Sequence, residues 1–170
     1  MIHASLFEDD FDLVVPALTR SSASSVQDVR MSEAIQSYER LRLFMSWEQL
    51  SVVAECMRGE EKAYFFDKLN EVAKRVDDMP VTYEQDGKGE EAVAYLHYFI
   101  GDCHWYITEK DVDGEVDQAF GYAVLHGDLL CAEYGYISIK ELVQTGVELD
   151  FHFDPTPMHE IKNQLDRRYG

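Results

Sequence analysis

The stretch AVAYLHYFIGDCHWYITEKDVDGEVDQAFGYAVLHGDLLCAEYGYI, residues 92–137, decides the fold. Aromatic and β-branched runs alternate in it with Gly and Asp pairs, the composition of strands and hairpin turns. Strands are expected at Ala92 to Ile100 and, across Gly101-Asp102, at Cys103 to Glu109. Two more are expected at Val116 to Leu125, after Asp113-Gly114, and at Cys131 to Ile137, after His126-Gly127-Asp128. Links this short cannot carry the crossovers that parallel neighbours need, so the segment predicts an antiparallel meander.

Downstream, Ser138 caps a short helix to about Gln144, and Gly146 stops it. Val147 to Phe153 alternates as a fifth strand, and Pro155 with Pro157 opens a terminal helix with Met158, Ile161 and Leu165 facing inward. Upstream, the apolar spacing turns helical. One helix spans Ser32 to about Met45, and a second follows the capping-box signature Ser46 to Gln49, in which Gln49 reaches back to its cap. Gly59 is placed to end that second helix in the left-handed conformation. The third carries Tyr64, Phe65, Leu69, Val72, Ala73 and Val76 on one stripe and closes at Pro80. Residues 1–30, with Pro16 and the serine run 21–25, read as a loosely ordered N-terminal arm holding at most one short strand.

The predicted architecture is α+β. N-terminal helices pack on one face of a five-stranded, mainly antiparallel sheet, with short C-terminal helices. Residues 31–170 form a single domain, helical over 31–80 and strand-rich over 81–170.

Thirty-three acidic against fifteen basic residues give a net charge of -18. A field of that sign repels phosphate backbones and anionic lipid, so direct nucleic-acid or membrane binding is not expected. Cys56, Cys103 and Cys131 are too widely spaced for a disulfide framework or a CxxC metal site and read as reduced core thiols. No charged-then-apolar leader and no run of about eighteen apolar residues is visible, so the expected location is cytoplasmic.

The blocks AYLHYFIGDCHWYITEKD (94–111), QAFGYAVLHGD (118–128), AEYGYISIKEL (132–142) and ELDFHFDP (148–155) resemble an uncharacterised bacterial family. That family is a domain of unknown function carried on plasmids and other integrating elements, near antirestriction and transfer genes. The likeness covers roughly residues 46–155 and leaves out the arm. It implies an accessory protein that helps a mobile element persist or evade host defence, and it carries over no catalytic residue.

Between Glu84 and Asp117 ten carboxylates face only Lys88 and Lys110. Such an array suits a DNA mimic that occupies the basic cleft of a restriction-type enzyme, and it suits equally a solvated hairpin kept from edge pairing. The expected partner-binding residues are Glu109, Asp111, Asp113, Glu115 and Asp117, with the aromatic residues Trp105 and Tyr98 beside them. Asp111 to Asp117 superficially resembles a calcium loop, but position six is Val116 and position twelve Tyr122, so a hairpin turn is expected.

His97, His104, His126 and His152 lie on or beside strands without HExxH or HxH spacing. Cys103 and His104, as strand neighbours, point to opposite faces and cannot pair. No cofactor and no catalytic residue is assigned. The reading that follows is a non-enzymatic acidic protein, monomer or homodimer, that binds and modulates a host nucleic-acid-handling protein through a basic surface on that partner. The alternative is a small metal-dependent enzyme or ligand-binding module using the sheet histidines and carboxylates.

Overall fold

A computed structural model of the protein describes residues 26–114 and 116–170. The rest of the arm, its expected short strand and Glu115 lie outside the described residues. The elements are α1 (Val26–Leu41), α2 (Trp47–Cys56), α3 (Lys62–Asp78), a 3₁₀ turn (Gly89–Glu91), β1 (Val93–Ala94), β2 (Leu96–Ile100) and β3 (Cys103–Glu109). There follow β4 (Ala119–Val124), β5 (Glu133–Ile137), α4 (Ile139–Gln144), β6 (Glu148–Leu149), β7 (Thr156–Pro157) and α5 (Met158–Tyr169).

The class is α+β, with five strands in the order β5-β4-β3-β2-β6 and every neighbouring pair antiparallel. Against one face the helices bury Leu41, Phe44, Leu69, Val72 and Val76, which pack on Leu96, Tyr98 and Ile107 of the sheet. The Tyr98 hydroxyl satisfies itself there by donating to the Phe44 carbonyl at 2.9 Å. On the opposite face α5 lays Met158, Ile161 and Leu165 over Tyr106, Tyr122 and Val124. Helices therefore cover both faces, and the sheet is the middle of three layers.

Helix α1 begins inside the span expected to be an arm, because it has α3 to pack on: Arg30 pairs with Asp67 at 2.6 Å and Ser37 bonds Asn70 at 2.7 Å. Ser46 does cap α2, accepting the Gln49 N–H at 3.3 Å. Gln49 itself does not reach back. Its amide crosses to β6, donating to the Leu149 carbonyl (2.7 Å) and accepting the Leu149 N–H (3.0 Å). Gly59 is not left-handed, since α2 runs out through Met57 in an ordinary right-handed turn. Gly146, at φ 78°, does end α4 in that conformation.

Four strands are shorter than their periodicity suggests, the fourth by two residues, since β5 starts at Glu133 and not at Cys131. The first splits: β1 leaves the main sheet to pair with β7, and only Leu96–Ile100 pairs with β3. The third starts at Ala119, because Asp111 accepts the Gln118 N–H at 3.1 Å and keeps Gln118 out of the strand ladder. The fifth is cut to Glu148–Leu149 by Asp150, whose carboxylate accepts the His152 N–H at 2.9 Å in an Asx turn. Beyond it the buried Arg75 donates to the carbonyls of Phe151 (3.1 Å) and Phe153, pinning this bend to α3. Among the described residues no helix is long and apolar enough to cross a membrane.

Candidate functional site

Residues 81–89 are polar and turn-rich in sequence, yet buried side chains fasten them to the sheet. Gln85 hydrogen-bonds as a strand would: its amide donates to the Val93 and Thr108 carbonyls, both at 2.8 Å, and its carbonyl accepts the Val93 N–H at 2.9 Å. Glu109, only 3% exposed, accepts the N–H groups of Tyr83 (3.2 Å) and Gln85. Thr82 bonds the Lys110 carbonyl through both its N–H (2.8 Å) and its hydroxyl (2.9 Å).

This anchoring forces Tyr83 to a φ of 82°, a region a bulky L-residue enters at a cost of about 1–3 kcal/mol. The ring projects into solvent, 63% exposed, where its hydroxyl meets that of Tyr136 at 2.8 Å. That hydrogen bond raises the Tyr136 phenol above its ordinary value. Phe120 stands edge-on to Tyr136 (centroids 5.7 Å apart) and stacks parallel to Tyr134 (6.3 Å), so β4 and β5 carry a shelf of aromatic rings. Between shelf and loop lies an open cleft of about 180 Å³, lined by Gln85, Asp86, Gly89, Thr108, Glu109 and Phe120. Exposed Asp86 lines it; of the other exposed acids of this loop, Glu84 accepts the Val81 N–H at 2.9 Å and Glu90 pairs with Lys162 at 2.7 Å. The Tyr134 hydroxyl is buried and finds no hydrogen-bond partner among the described residues, Lys162 lying over its ring, 4.7 Å from the centroid.

The expected partner-binding residues separate. Tyr98 is wholly buried in the helical core and Glu109 is buried beneath the 81–91 loop, so neither presents a surface. Trp105 is half-buried and packs on the same core. Asp111 caps its own loop, Asp117 pairs with Lys140 at 3.3 Å, and Asp113 stands exposed, while Glu115 lies outside the described residues. Tyr83 and Gln85 carried no sequence signal of importance. The one available hint was an acid, Glu109, at a strand end whose alternation would bury it.

A second constellation joins the sheet to α5. Asp150 Oδ2 lies 3.0 Å from His97 Nδ1, His97 Nε2 3.0 Å from His104 Nδ1, His104 Nε2 2.9 Å from the Tyr169 hydroxyl, and that hydroxyl 3.2 Å from Asp102 Oδ1. With both imidazoles neutral, protons can point from Tyr169 toward Asp150, leaving the Asp102 bond unmade. One added proton keeps the His97 donation to Asp150, reverses both bonds of His104 and turns the Tyr169 hydroxyl to Asp102, so all four bonds form. The two imidazoles are shielded, His97's side chain 12% exposed and His104 5%, while Asp102 at the outer end is 64% exposed. Its role here is to tie the end of α5 to β2 and β3.

Burial, then the neighbouring His97 and Arg168, depress His104 to a pKa of about 4 from 6.5. The unfolded chain therefore binds the extra proton between those values, and stability falls as pH drops from about 6.5 toward 4, by up to about 3 kcal/mol. The hydrogen bond from His97 lowers Asp150 in turn, and its contribution is lost only at still lower pH. Denaturant titrations between pH 7 and 4 should show that slope, and His104→Asn should flatten it. An unaltered slope in the variant would place the acid sensitivity elsewhere.

The cysteines are not core thiols. Cys131 is exposed, and Cys56 and Cys103 are half-buried. Cys103 meets His126 across the sheet turn, with the His126 N–H 3.3 Å and Nδ1 3.7 Å from its sulfur. A hydrogen bond to Asp128 raises the Cys131 thiol, which disfavours the reactive thiolate. Among the described residues no three His, Cys, Asp or Glu side chains converge as a metal site. Compared with family models, curated proteins and solved structures, the chain has no match.

Proposed function

We propose that the protein is a non-enzymatic interaction protein that binds a host nucleic-acid-handling protein, of the defence or restriction type, through the acidic, aromatic face around Tyr83 and Tyr136. The observation that carries this reading is the held, strained, solvent-facing Tyr83. Backbone strain maintained by buried Gln85 and Glu109 serves no packing purpose when the ring it orients is 63% exposed. Paired exposed tyrosines with the exposed Glu84 and Asp86 on the same loop suit a surface rich in Lys and Arg, where ring faces accept cations and the field steers encounter. The net charge of -18 supports a basic partner, and the family resemblance of the strand blocks supports the setting of a mobile element.

The face sits on β5 and the 81–91 loop, not on the hairpin 109–117 that the acid count favours. DNA mimicry is one form such binding can take. Affinity capture on the full chain, identification of the captured protein and measurement with that protein purified test the reading. The expected partner is a basic nucleic-acid-handling protein whose Kd weakens at least about tenfold between about 50 and about 200 mM salt. Binding should be lost when Tyr83 and Tyr136 become Ser and Glu84, Asp86 and Glu90 become Gln or Asn. No partner, or one insensitive both to salt and to this variant, overturns the proposal.

A further inference from the structure

The five-stranded sheet has two edges, and the chain treats them differently. At β6 the side-chain amide of Gln49 takes the place of a neighbouring strand, satisfying both the N–H and the carbonyl of Leu149. At β5 no backbone hydrogen bond reaches the outer edge of Glu133–Ile137 among the described residues. Alternate residues of an antiparallel edge strand point N–H and C=O outward, ready to pair with another chain.

Sheets usually blunt such an edge with Lys, Pro, a bulge or a covering segment. The sequence Glu-Tyr-Gly-Tyr-Ile has neither Lys nor Pro, and its register against β4 runs unbroken from Glu133 to Ile137. A side chain at Gly135 would meet nothing within 4 Å, so no neighbouring segment crowds the sheet face at that point of the edge strand. Tyr136 projects from this strand, 58% exposed, against Tyr83.

We propose that β5 accepts an extended, basic segment of a partner protein as a sixth strand. This rests on the interaction reading above and specifies its mode. Charge complementarity selects the occupant: exposed Glu84 and Asp86 follow Tyr83, whose hydroxyl meets that of Tyr136, and exposed Glu133 adds an acid on the other face of the strand. A second copy would bring the same acids to the same edge, and its own net charge of -18 would oppose the association. Main-chain bonds supply affinity, and the Tyr136 and Tyr83 rings receive every second Lys or Arg of the incoming strand.

The probe is a synthetic peptide of about ten residues, Lys or Arg alternating with Thr or Val, added to the full chain. Hydrogen exchange should slow at least about tenfold at β5 amides and little elsewhere. N-methylation of one alternating set of peptide amides should abolish that protection, while methylation of the other set should leave it. Tyr136→Lys, which places at the edge the charge that other sheets use, should remove binding without unfolding an exposed position.

Salt-sensitive binding that both N-methylated peptides retain would leave the acidic face standing and overturn strand addition. Absence of any β5 protection overturns it as well. Protection already present in the protein alone, with a dimer in sedimentation, would make a second copy the occupant and overturn the basic segment.

Discussion

Gly121→Ala should cost about 3 kcal/mol or more, lowering Tm by about 6–12 °C. A Cβ on Gly121 would lie 2.2 Å from the Tyr106 carbonyl oxygen and 3.0 Å from the Ile107 Cα. Both are backbone atoms of the paired strand, so no side chain can move aside. The close approach sits where the β3–β4 register shifts between Ile107 and Glu109. Glycine admits that irregularity, and the irregularity delivers Glu109 to the 81–91 loop. Gly135, directly opposite in β5, is the control: nothing lies near its missing Cβ, and alanine there should change stability by less than about 0.5 kcal/mol. Equal melting temperatures for the two variants would show that β3 and β4 are not held this closely.

Glu109→Ala should destabilise the protein by about 2–4 kcal/mol, because it strands the Tyr83 and Gln85 N–H groups and empties the space beneath them. Its local effect separates it from an ordinary core substitution. Tyr83 should relax out of its left-handed conformation, the Tyr83–Tyr136 bond should open, and amides of residues 81–91 should exchange faster than those of α3. Glu109→Gln keeps one acceptor oxygen and places an N–H₂ against the second donor, so its cost should fall between wild type and alanine. An alanine variant with the wild-type melting temperature and undisturbed loop exchange would overturn the anchoring role.

Much of the architecture was legible locally. Gly101-Asp102 and the His126-Gly127 turn mark hairpins because their backbones take positive φ (56° at Gly101, 55° at His126, 70° at Gly127), and the structure places both turns there. Ser46 and Ser138 cap helices as their hydroxyl chemistry suggests. Met158, Ile161 and Leu165 face inward from α5 as their spacing requires.

The candidate site was less legible, because its parts meet only across the fold. Acid density pointed to the hairpin 109–117, but a carboxylate count cannot tell an exposed Asp113 from an Asp111 spent on a loop cap or a Glu109 buried beneath another segment. Tyr83 and Tyr136 stand 53 residues apart in the chain and their hydroxyls touch.

By itself, then, the sequence determined what depends on neighbours within a turn or two: period, caps, hairpin turns, the α+β class and the sign of the field. The tertiary structure alone decided which sheet edge Gln49 closes, that α5 covers the second face, which of two facing glycines is indispensable, and which acids remain in water. The physical reason is that burial and hydrogen-bond satisfaction belong to the whole packed chain. A residue's local pattern states its preference, and the elements that land on it decide its role.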